Sequence, residues 1–546
     1  MEQPGVATSS AWVEEVCRSA LALAMRADAG GATDLIAGAL RTPGRTDADV
    51  VPLVSTLLTV SHWTGERDRA LEVVGPLLTE PLSATTRGKV LTDMALLVPR
   101  EKEIRGREGL AELTIAGDDQ GRASAMLGLA FPSVTLLPGL DHRLRLCDAA
   151  ESLGRQLGDE AIVQRSAAVR GAVLAYGGRI DEASDSFRSV WDRADVENPS
   201  MVTWCGNALV NHALILLGLG EYDEAAAMAD VAEIRFLGSR HRGLLQATRA
   251  AALIHRCRHR AALEVLDSIS GRAEELTSLV TLLRSAATVE VGRYVPREDL
   301  TEEVEAQEQV SMLTGWLGRV VQADLRAARR EPRPHRDLGP ALRRLAPSRP
   351  ALAWDGLALA LARHAPEEAA ETLADMWDFW PVGERAAIQR DFTETLLGRH
   401  DPYPAYLDIA RRYAQRGEVL PAAEAMRRAS RVAPSGSESL TAHRSAIDLL
   451  SGTDAERTLA SLLRERRVRR APGTATIPDS QRYSVNGGLT PRESEVAQRA
   501  AQGLTSKEIA AELGISVGTA RNHLQRLRDK LGIRSKRELA RWAEAR

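Results

Sequence analysis

The stretch ALVNHALILLGLGEYDEAAAMADVAE, residues 208–233, decides the fold. Its first half is an apolar run that ends at Gly220, and a second helical pattern opens with Tyr222-Asp223-Glu224-Ala225. Glycine supplies a turn without a Cβ penalty, and alanine lets two paired helices approach each other closely. The stretch therefore predicts two helices that are joined by a short turn and packed against each other.

The same turn recurs along the chain. A helical run ends, a small turn follows, and Glu-Ala or Arg-Ala opens the next helix in GERDRA (65–70), GRIDEA (178–183), GEYDEA (220–225), CRHRAA (257–262) and GEVLPA (417–422). Each helix pair leaves an apolar face that only its neighbours can cover, so stacking is the stable arrangement. The pattern resembles degenerate tetratricopeptide repeats. It predicts an all-α fold, with a TPR-like helical-repeat solenoid over residues 1–460.

Composition favours a soluble folded protein, because 44% of the 546 residues are apolar and 27% are charged. The four cysteines are far apart and form no CxxC pair, which predicts neither a disulfide framework nor a zinc site. His255 and His259 have the spacing of one helical face, but the arginines near them would repel a cation. We therefore expect no metal ion.

Enzyme signatures are weak in the sequence. The nucleotide-binding loop GxxxxGK[ST] and the motifs HExxH and GxGxxG do not occur, and the one match to GxSxG, GISVG (514–518), joins two short helical segments instead of following a strand. We therefore expect no catalysis and no cofactor. The longest apolar run, residues 213–219, is far shorter than the ~20 residues of a membrane span. A signal core is also missing near Met1, so the sequence predicts a cytoplasmic protein without a membrane partner.

Positive charge collects toward the C-terminal end of the chain. Residues 489–546 hold 12 Lys and Arg against 7 Asp and Glu, a net charge of +5; since the whole chain carries −3, the preceding 488 residues carry −8. Clustered cations displace counterions from phosphates, so the basic segment suggests a polyanion as its partner. Residues 461–487 are predicted to be a linker, first basic (RERRVRR, 464–470) and then rich in Pro, Gly, Ser and Thr.

Residues 488–546 predict a compact domain of four short helices. Capping boxes start at Thr490, Thr505 and Ser535, and Ser516 can cap a further helix through its hydroxyl. Glycines stand where the intervening helices must stop. The second and third helices form a helix-turn-helix in which Ala510 is small where the two helices cross. The predicted spans are about 491–502, 506–513, 517–531 and 536–545.

The third of these helices has an apolar and a polar face. Its core-facing residues are separated by alternate steps of three and four: Val517, Ala520, Leu524, Leu527 and Leu531. The polar face carries a guanidinium and two amides, at Arg521, Asn522 and Gln525. Arginine can bind guanine, and asparagine or glutamine can bind adenine, through paired hydrogen bonds to the base edge. These three side chains are the predicted base-reading residues.

Residues 489–539 resemble the LuxR-type helix-turn-helix. They contain the family's LTxRE opening (LTPRE), its KEIA helix, its LxIS turn (LGIS) and its last-helix pattern (KLGIRSKRE). In two mild departures, Ser506 stands where the family usually has Asn and Ala520 where it usually has Val. The resemblance implies a transcriptional regulator that binds DNA in the major groove. The residues expected at the DNA backbone are Lys507, Ser516, Thr519, Arg526, Arg528 and Lys530.

The plan of helical array, basic linker and C-terminal helix-turn-helix resembles the large LAL-type regulators of actinobacteria. Those normally carry an N-terminal ATPase, whose nucleotide-binding loop this sequence lacks, so ATP-driven switching is not expected. The resemblance implies that the array receives a protein or small-molecule signal. The expected partner is double-stranded DNA, bound as a homodimer because one short helix contacts few bases. RNA polymerase is a further candidate partner.

Two other functions stay open on the sequence alone. The array could be an interaction scaffold whose tail docks onto a protein. The tail would then lack the steep dependence of nucleic-acid affinity on salt concentration that DNA-binding proteins have. Alternatively, GISVGTARNHLQRLRDKL, residues 514–531, resembles the last helices of sigma region 4, which would make the tail a promoter reader. The fourth helix and the absence of a recognisable polymerase-binding domain count against that second alternative.

Overall fold

The computed structural model divides into two compact units, Met1–Arg464 and Glu465–Arg546. The elements that it describes are helices without a strand among them, which confirms the predicted all-α fold. No helix among these residues combines the length and the apolar character that crossing a membrane requires. The described residues are 9–26, 28–65, 67–97, 102–132, 139–191, 199–231, 239–269, 274–292, 300–310, 312–345, 354–374, 383–470, 491–502, 504–513, 520 and 524.

The helices of the first unit follow one another with short connections. The described part of residues 1–191 forms α1 Ser9–Met25, α2 Ala29–Leu40, α3 Asp47–Thr64, α4 Arg67–Val74, a 3₁₀ helix Gly75–Thr79, α5 Ala84–Leu97, α6 Lys102–Ala116, α7 Asp119–Ala130, α8 Leu140–Leu157, α9 Glu160–Tyr176 and α10 Ile180–Trp191. The described part of residues 199–310 forms α11 Pro199–Leu219, α12 Tyr222–Val231, α13 Ser239–His255, α14 His259–Ser268, α15 Glu274–Glu290 and α16 Thr301–Val310. The remaining helices, the last of which runs past the end of the first unit at Arg464, are α17 Met312–Ala328, α18 Leu338–Leu345, α19 Trp354–His364, α20 Pro366–Leu373, α21 Glu384–Leu396, α22 Pro402–Gln415, α23 Val419–Val432, α24 Gly436–Leu450 and α25 Glu456–Arg470.

The helices of the first unit pack in two ways. Most helices contact the next one in the sequence, as expected for helix pairs joined by short turns. From α1 to α21, each odd-numbered helix also contacts the next odd-numbered helix. This is the contact pattern of stacked helix pairs, in which each pair covers the apolar face of its neighbour. The assignment of these pairs to tetratricopeptide repeats stays a prediction.

The repeated turn begins with a residue of positive φ in all five copies. These residues are Gly65, Gly178, Gly220, Cys257 and Gly417. The following helix begins two residues later in every copy. The alanine at the sixth position is buried each time, as Ala70, Ala183, Ala225, Ala262 and Ala422. The predicted turn and the predicted close approach of the helices at alanine are both confirmed.

The prediction that His255 and His259 share one helical face is wrong. Helix α13 ends at His255, Cys257 adopts a left-handed φ of 54°, and α14 begins at His259. The His255 ring stacks on the Tyr222 ring, with centroids 4.9 Å apart and planes 8° from parallel. The turn at Cys257 therefore places the two imidazoles on different helices.

Distant parts of the first unit meet around Glu418. Its carboxylate is 1% exposed and accepts hydrogen bonds from the Tyr222 hydroxyl at 2.9 Å, from Arg385 Nε at 3.1 Å and from Arg416 Nε at 3.3 Å. Arg385 also donates to the carbonyl of Gly218 at 3.3 Å. Burial raises the pKa of Glu418, but Arg385 and the Tyr222 hydroxyl more than offset it, so the pKa lies below its usual value. Glu418 is therefore a buried, ionised carboxylate that joins the middle of the array to its end.

A second set of contacts joins the same parts of the array. The Cys257 carbonyl accepts a hydrogen bond from the Asp454 backbone N–H at 3.0 Å. The Asp454 carboxylate accepts one from the Arg260 backbone N–H, also at 3.0 Å. The Thr458 hydroxyl donates to Glu290 at 2.8 Å. Helices α14 and α15 are therefore attached to the start of α25.

Gly220 lies directly against the Glu418 network. It has a φ of +82°, and a Cβ built on it would lie 2.8 Å from Arg416 Nη2 and 3.1 Å from Glu418 Oε1. We expect Gly220→Ala to lower the free energy of unfolding by about 2–4 kcal/mol, because left-handed strain and crowding add. Gly398→Ala, at φ +74° in open space, should cost the strain of about 1–2 kcal/mol alone. Urea denaturation measures both variants, and equal losses would contradict the contribution of crowding.

Helix α25 extends into the predicted linker. It spans Glu456–Arg470, so the basic run 464–470 that is predicted to open the linker is helical. Residues 471–490 lie outside the described residues. The bounds predicted for the three regions, 1–460, 461–487 and 488–546, stay a prediction.

Candidate nucleic-acid interface

The second unit contains helix α26, which spans Pro491–Ala501. Proline suits the first helical position because its fixed φ is that of a helix. Proline has no backbone N–H, but at this position an N–H would have no partner within the helix. Val496, Ala497 and Ala500 are buried on one face of α26. The helix ends one residue before the predicted end at residue 502, and the preceding Thr490 lies outside the described residues.

Helix α27 spans Ser506–Leu513 and has the predicted bounds. The backbone N–H and the hydroxyl of Thr505 each donate to the Glu508 carboxylate at 2.7 Å, and the Glu508 N–H donates back to the Thr505 hydroxyl at 3.4 Å. This reciprocal arrangement is the predicted capping box. It fixes the start of the helix that carries Lys507, which is exposed to solvent.

The two helices pack with residues from further along the chain. Ile509 and Ala510 of α27 are buried together with Ala520, and Leu524 is partly buried against the same cluster. Ala520 and Leu524 are both helical and are four positions apart in the sequence. The prediction that Ala520 and Leu524 face the core is confirmed. Ala510 is buried where α27 meets its neighbours, as its small size predicts.

An ion pair that the sequence did not predict joins α26 to α27. Arg499 Nε donates to Glu512 Oε2 at 3.0 Å, and Arg499 Nη1 donates to the Glu495 carbonyl at 3.3 Å. The two charged residues are 13 positions apart on different helices, and no local spacing rule identifies such a pair. The pair is partly exposed, so it contributes at most about 1 kcal/mol. The guanidinium of Arg499 is therefore bound to groups of α26 and α27.

One of the predicted DNA-contacting residues, Lys507, is among the described residues, and it is exposed near the start of α27. The others lie outside the described residues: Ser516, Thr519, Arg521, Asn522, Gln525, Arg526, Arg528 and Lys530. Their contacts with DNA stay a prediction. The described residues supply the frame of the unit, with α26 and α27 packed on Ala520 and Leu524.

The model of the family described as bacterial regulatory proteins, luxR family, matches residues 488–543. These residues are a LuxR-family helix-turn-helix domain. The match includes α26, α27, Ala520 and Leu524, so the buried cluster described above is the core of this domain.

Curated relatives match the LuxR-family domain as well. Over 53 residues the chain is 53% identical to the transcriptional regulatory protein UhpA of Escherichia coli (strain K12), which covers 10% of this chain and 27% of that protein. Over 56 residues it is 43% identical to the transcriptional regulatory protein DesR of Bacillus subtilis (strain 168), which covers 10% and 28%. Over 48 residues it is 48% identical to the spore germination protein GerE of the same strain, which covers 9% and 65%.

These matches define what is shared. The chain spans about a quarter of the length of the first two of these relatives, and both are named as transcriptional regulatory proteins. The C-terminal unit thus carries the DNA-binding domain of LuxR-family transcriptional regulators. The matched family range begins at residue 488, which leaves the helical array outside it.

Proposed function

We propose that the protein is a sequence-specific transcriptional regulator whose LuxR-family domain reads the major groove of double-stranded DNA under the control of the helical array. The match of residues 488–543 to the luxR family carries the proposal. Ala520 and Leu524 support it, because both contact the core from one face of the third predicted helix. The helical period then predicts Arg521, Asn522 and Gln525 on the opposite face, toward DNA.

The proposed contacts divide into two classes. Arg521 pairs with the O6 and N7 atoms of guanine, and the amides of Asn522 and Gln525 pair with the N6 and N7 atoms of adenine. Contacts to phosphates position the domain without reading the sequence. The residues proposed for these backbone contacts are Lys507, Ser516, Thr519, Arg526, Arg528 and Lys530.

A homodimer is the proposed DNA-binding form. One short helix contacts too few bases to select a site among the many competing sites of a genome, and two half-sites multiply the specificity. The array would bind a protein or small-molecule signal and so control whether two domains reach their half-sites together. RNA polymerase is a further proposed partner, and the cytoplasm is the proposed location.

Arg521→Ala is expected to weaken binding to the preferred site by ~1–3 kcal/mol in each half-site and to relax the preference at one base position. The measurement is competition binding against a set of single-base variants of that site. Lys507→Ala is the matched control: it should weaken binding to all sequences about equally and reduce the salt slope by about one for each half-site. A uniform loss for Arg521→Ala would assign this residue to the phosphate backbone.

The direct test of the function uses sheared genomic DNA from the source organism. The full-length protein is incubated with the fragments at about 150 mM salt, where non-specific binding is weak, and the retained DNA is sequenced. Enrichment of a few fragments that share an inverted repeat supports the proposal. Residues 476–546 alone form a second arm, and enrichment in this arm only would show that the array masks the domain. If neither arm enriches a sequence and DNA binding is lost at modest salt, operator reading is excluded and the docking scaffold is favoured.

A further inference from the structure

A cavity of about 760 Å³ lies within the first unit, between the middle and the last helices of the array. Most of its wall is apolar, with side chains such as Ile254, Leu283, Val320, Leu359 and Leu420. The volume falls within the range of about 300–1,000 Å³ that is typical of sites for small organic ligands. The cavity can therefore enclose a molecule with a substantial apolar body.

The charged groups that line this cavity are mostly positive. Eight arginines and three carboxylates contribute to its wall, an excess of five positive charges. This excess contrasts with the composition of the chain before residue 489, which carries a net charge of −8. A concave site with walls of low polarity concentrates the field of such charges and attracts anions.

The lining carboxylates already have partners of their own. Glu424 pairs with Arg363 at 2.9 Å and accepts a hydrogen bond from Arg428 at 3.1 Å. Burial raises the pKa of Glu424, but the charges of Arg363 and Arg428 lower it by more. The pKa therefore lies below its usual value, and this carboxylate stays ionised. Glu290 accepts a hydrogen bond from the Thr458 hydroxyl at 2.8 Å. Arg385 of the wall also pairs with Glu418, which does not line the cavity, so with this carboxylate included the arginines outnumber the carboxylates by eight to four.

A buried imidazole adds a neutral polar group to the wall. His259 is 1% exposed, and neither of its ring nitrogens has a hydrogen-bond partner in the part of the chain that the structure describes. Burial lowers the pKa of His259 to about 4, so the ring is neutral at pH 7 and offers one donor and one acceptor. A buried polar group without a partner is unfavourable. A polar head group bound in the cavity would supply that partner.

We propose that this cavity binds a small organic anion, with its acidic head at the arginines and His259 and its apolar body against the wall around Ile254 and Leu283. Inorganic phosphate or acetate would leave the apolar wall without a contact. A neutral apolar molecule would make no ionic contact with the arginines. An amphipathic anion satisfies both parts of the wall.

Helix α25 makes the cavity a control site. Arg457, Thr458 and Leu462 of α25 line the cavity, and the chain continues from this helix to the LuxR-family domain. A ligand shifts a conformational equilibrium when it binds one position of an element more tightly than another. This regulatory role rests on the proposed function, whereas binding of the anion does not.

The test compares two fluorescent probes on the full-length protein. 1-Anilinonaphthalene-8-sulfonate carries an anionic head, and N-phenyl-1-naphthylamine has the same rings without the charge. We expect one saturable site per chain, at which the anionic probe binds about tenfold or more tightly than the neutral one. Arg457→Gln should weaken binding of the anionic probe about tenfold and leave the neutral probe unchanged, and Arg457→Lys should restore most of the affinity.

The matched control is Arg411→Gln, which removes an exposed arginine of the array that does not line the cavity. It should change neither affinity, and a urea transition on each variant shows that the array is folded. Equal affinities for the two probes, absence of saturation, or equal losses in Arg457→Gln and Arg411→Gln would overturn the proposal. No DNA is present in this titration, so its outcome is separate from the test of operator binding.

Discussion

Glu418→Ala is expected to lower the free energy of unfolding of the array by about 3–5 kcal/mol, because it leaves buried positive charges without their counter-charge. The carboxylate is 1% exposed, and its two arginine partners, Arg385 and Arg416, are 12% and 13% exposed. The Tyr222 hydroxyl also loses its acceptor. Urea denaturation followed by circular dichroism measures the loss.

Glu384→Ala is the matched control for this prediction. Glu384 accepts a hydrogen bond from the same arginine, Arg416, at 2.9 Å, but its side chain is 66% exposed. Exposed ion pairs contribute about 0–1 kcal/mol, so this variant should remain close to the parent protein. If both variants lost the same stability, burial of Glu418 could not be the cause.

Acidification from pH 7 to pH 5 is expected to destabilise the array by about 2 kcal/mol for each of three imidazoles. Burial lowers the pKa of His241 to about 3 and the pKa values of His255 and His259 to about 4, against about 6.5 in an unfolded chain. Below pH 6.5 the unfolded chain binds protons that the folded chain does not, so stability falls as the pH falls. The effect continues until the pH reaches the folded pKa values.

Two carboxyl groups of the described residues oppose this trend, because burial raises the pKa of both Asp93 and Glu290. Burial raises the pKa of Asp93 to about 6, although the Ser55 hydroxyl donates to it at 2.8 Å. The folded chain then takes up this proton before the unfolded chain does, which recovers about 1 kcal/mol between pH 7 and pH 5. Urea transitions at the two pH values measure the net loss.

His241→Gln separates the contribution of one imidazole from the net loss. This substitution removes the titrating ring and keeps a polar group near Asn207, whose side-chain oxygen lies 3.1 Å from His241 Nε2. The difference in stability between pH 7 and pH 5 should shrink by about 2 kcal/mol. His142→Gln, at an exposed position, should leave that difference unchanged. An unchanged pH dependence in His241→Gln would show that this ring does not contribute.

The features of the array that the sequence predicts are local ones. The GxxxxA copies predict a turn, a helix start and a buried alanine, and these follow from backbone geometry and helix crossing within a few residues. Cys257 conforms to the pattern with a positive φ although it is not glycine, because the packed helices on either side impose the turn.

The partners of Glu418 could not be predicted in the same way. A glutamate in a turn is normally solvated, and Tyr222 lies 196 positions away in the sequence. The assignment of His255 and His259 to one face has another cause: it rests on their spacing alone and ignores the turn that CRHRAA (257–262) predicts between them, where α13 ends and α14 begins. Pairing between remote helices depends on how the whole array curves, which no short pattern encodes.

The DNA-binding domain shows the same division. The capping box at Thr505 and the buried Ala520 were predictable, because capping and helical periodicity operate within one or two turns. The Arg499–Glu512 pair was not, because it depends on how α26 packs against α27. The base-reading roles of Arg521, Asn522 and Gln525 depend on a second molecule, and only DNA binding can test them.

The contact between Tyr222 and Glu418 also affects how the array folds during protein synthesis, because its two residues are made at different times. A ribosome adds about 5–20 residues per second, and the two residues are 196 positions apart, so Tyr222 emerges roughly 10–40 s before its partner is made. During that interval the surface of α12 and α13 that the C-terminal helices later cover is open to solvent and to other nascent chains. Final closure of the array is therefore a post-translational or late co-translational step. Molecular chaperones should bind the nascent chain most strongly between the appearance of α13 and the completion of α23.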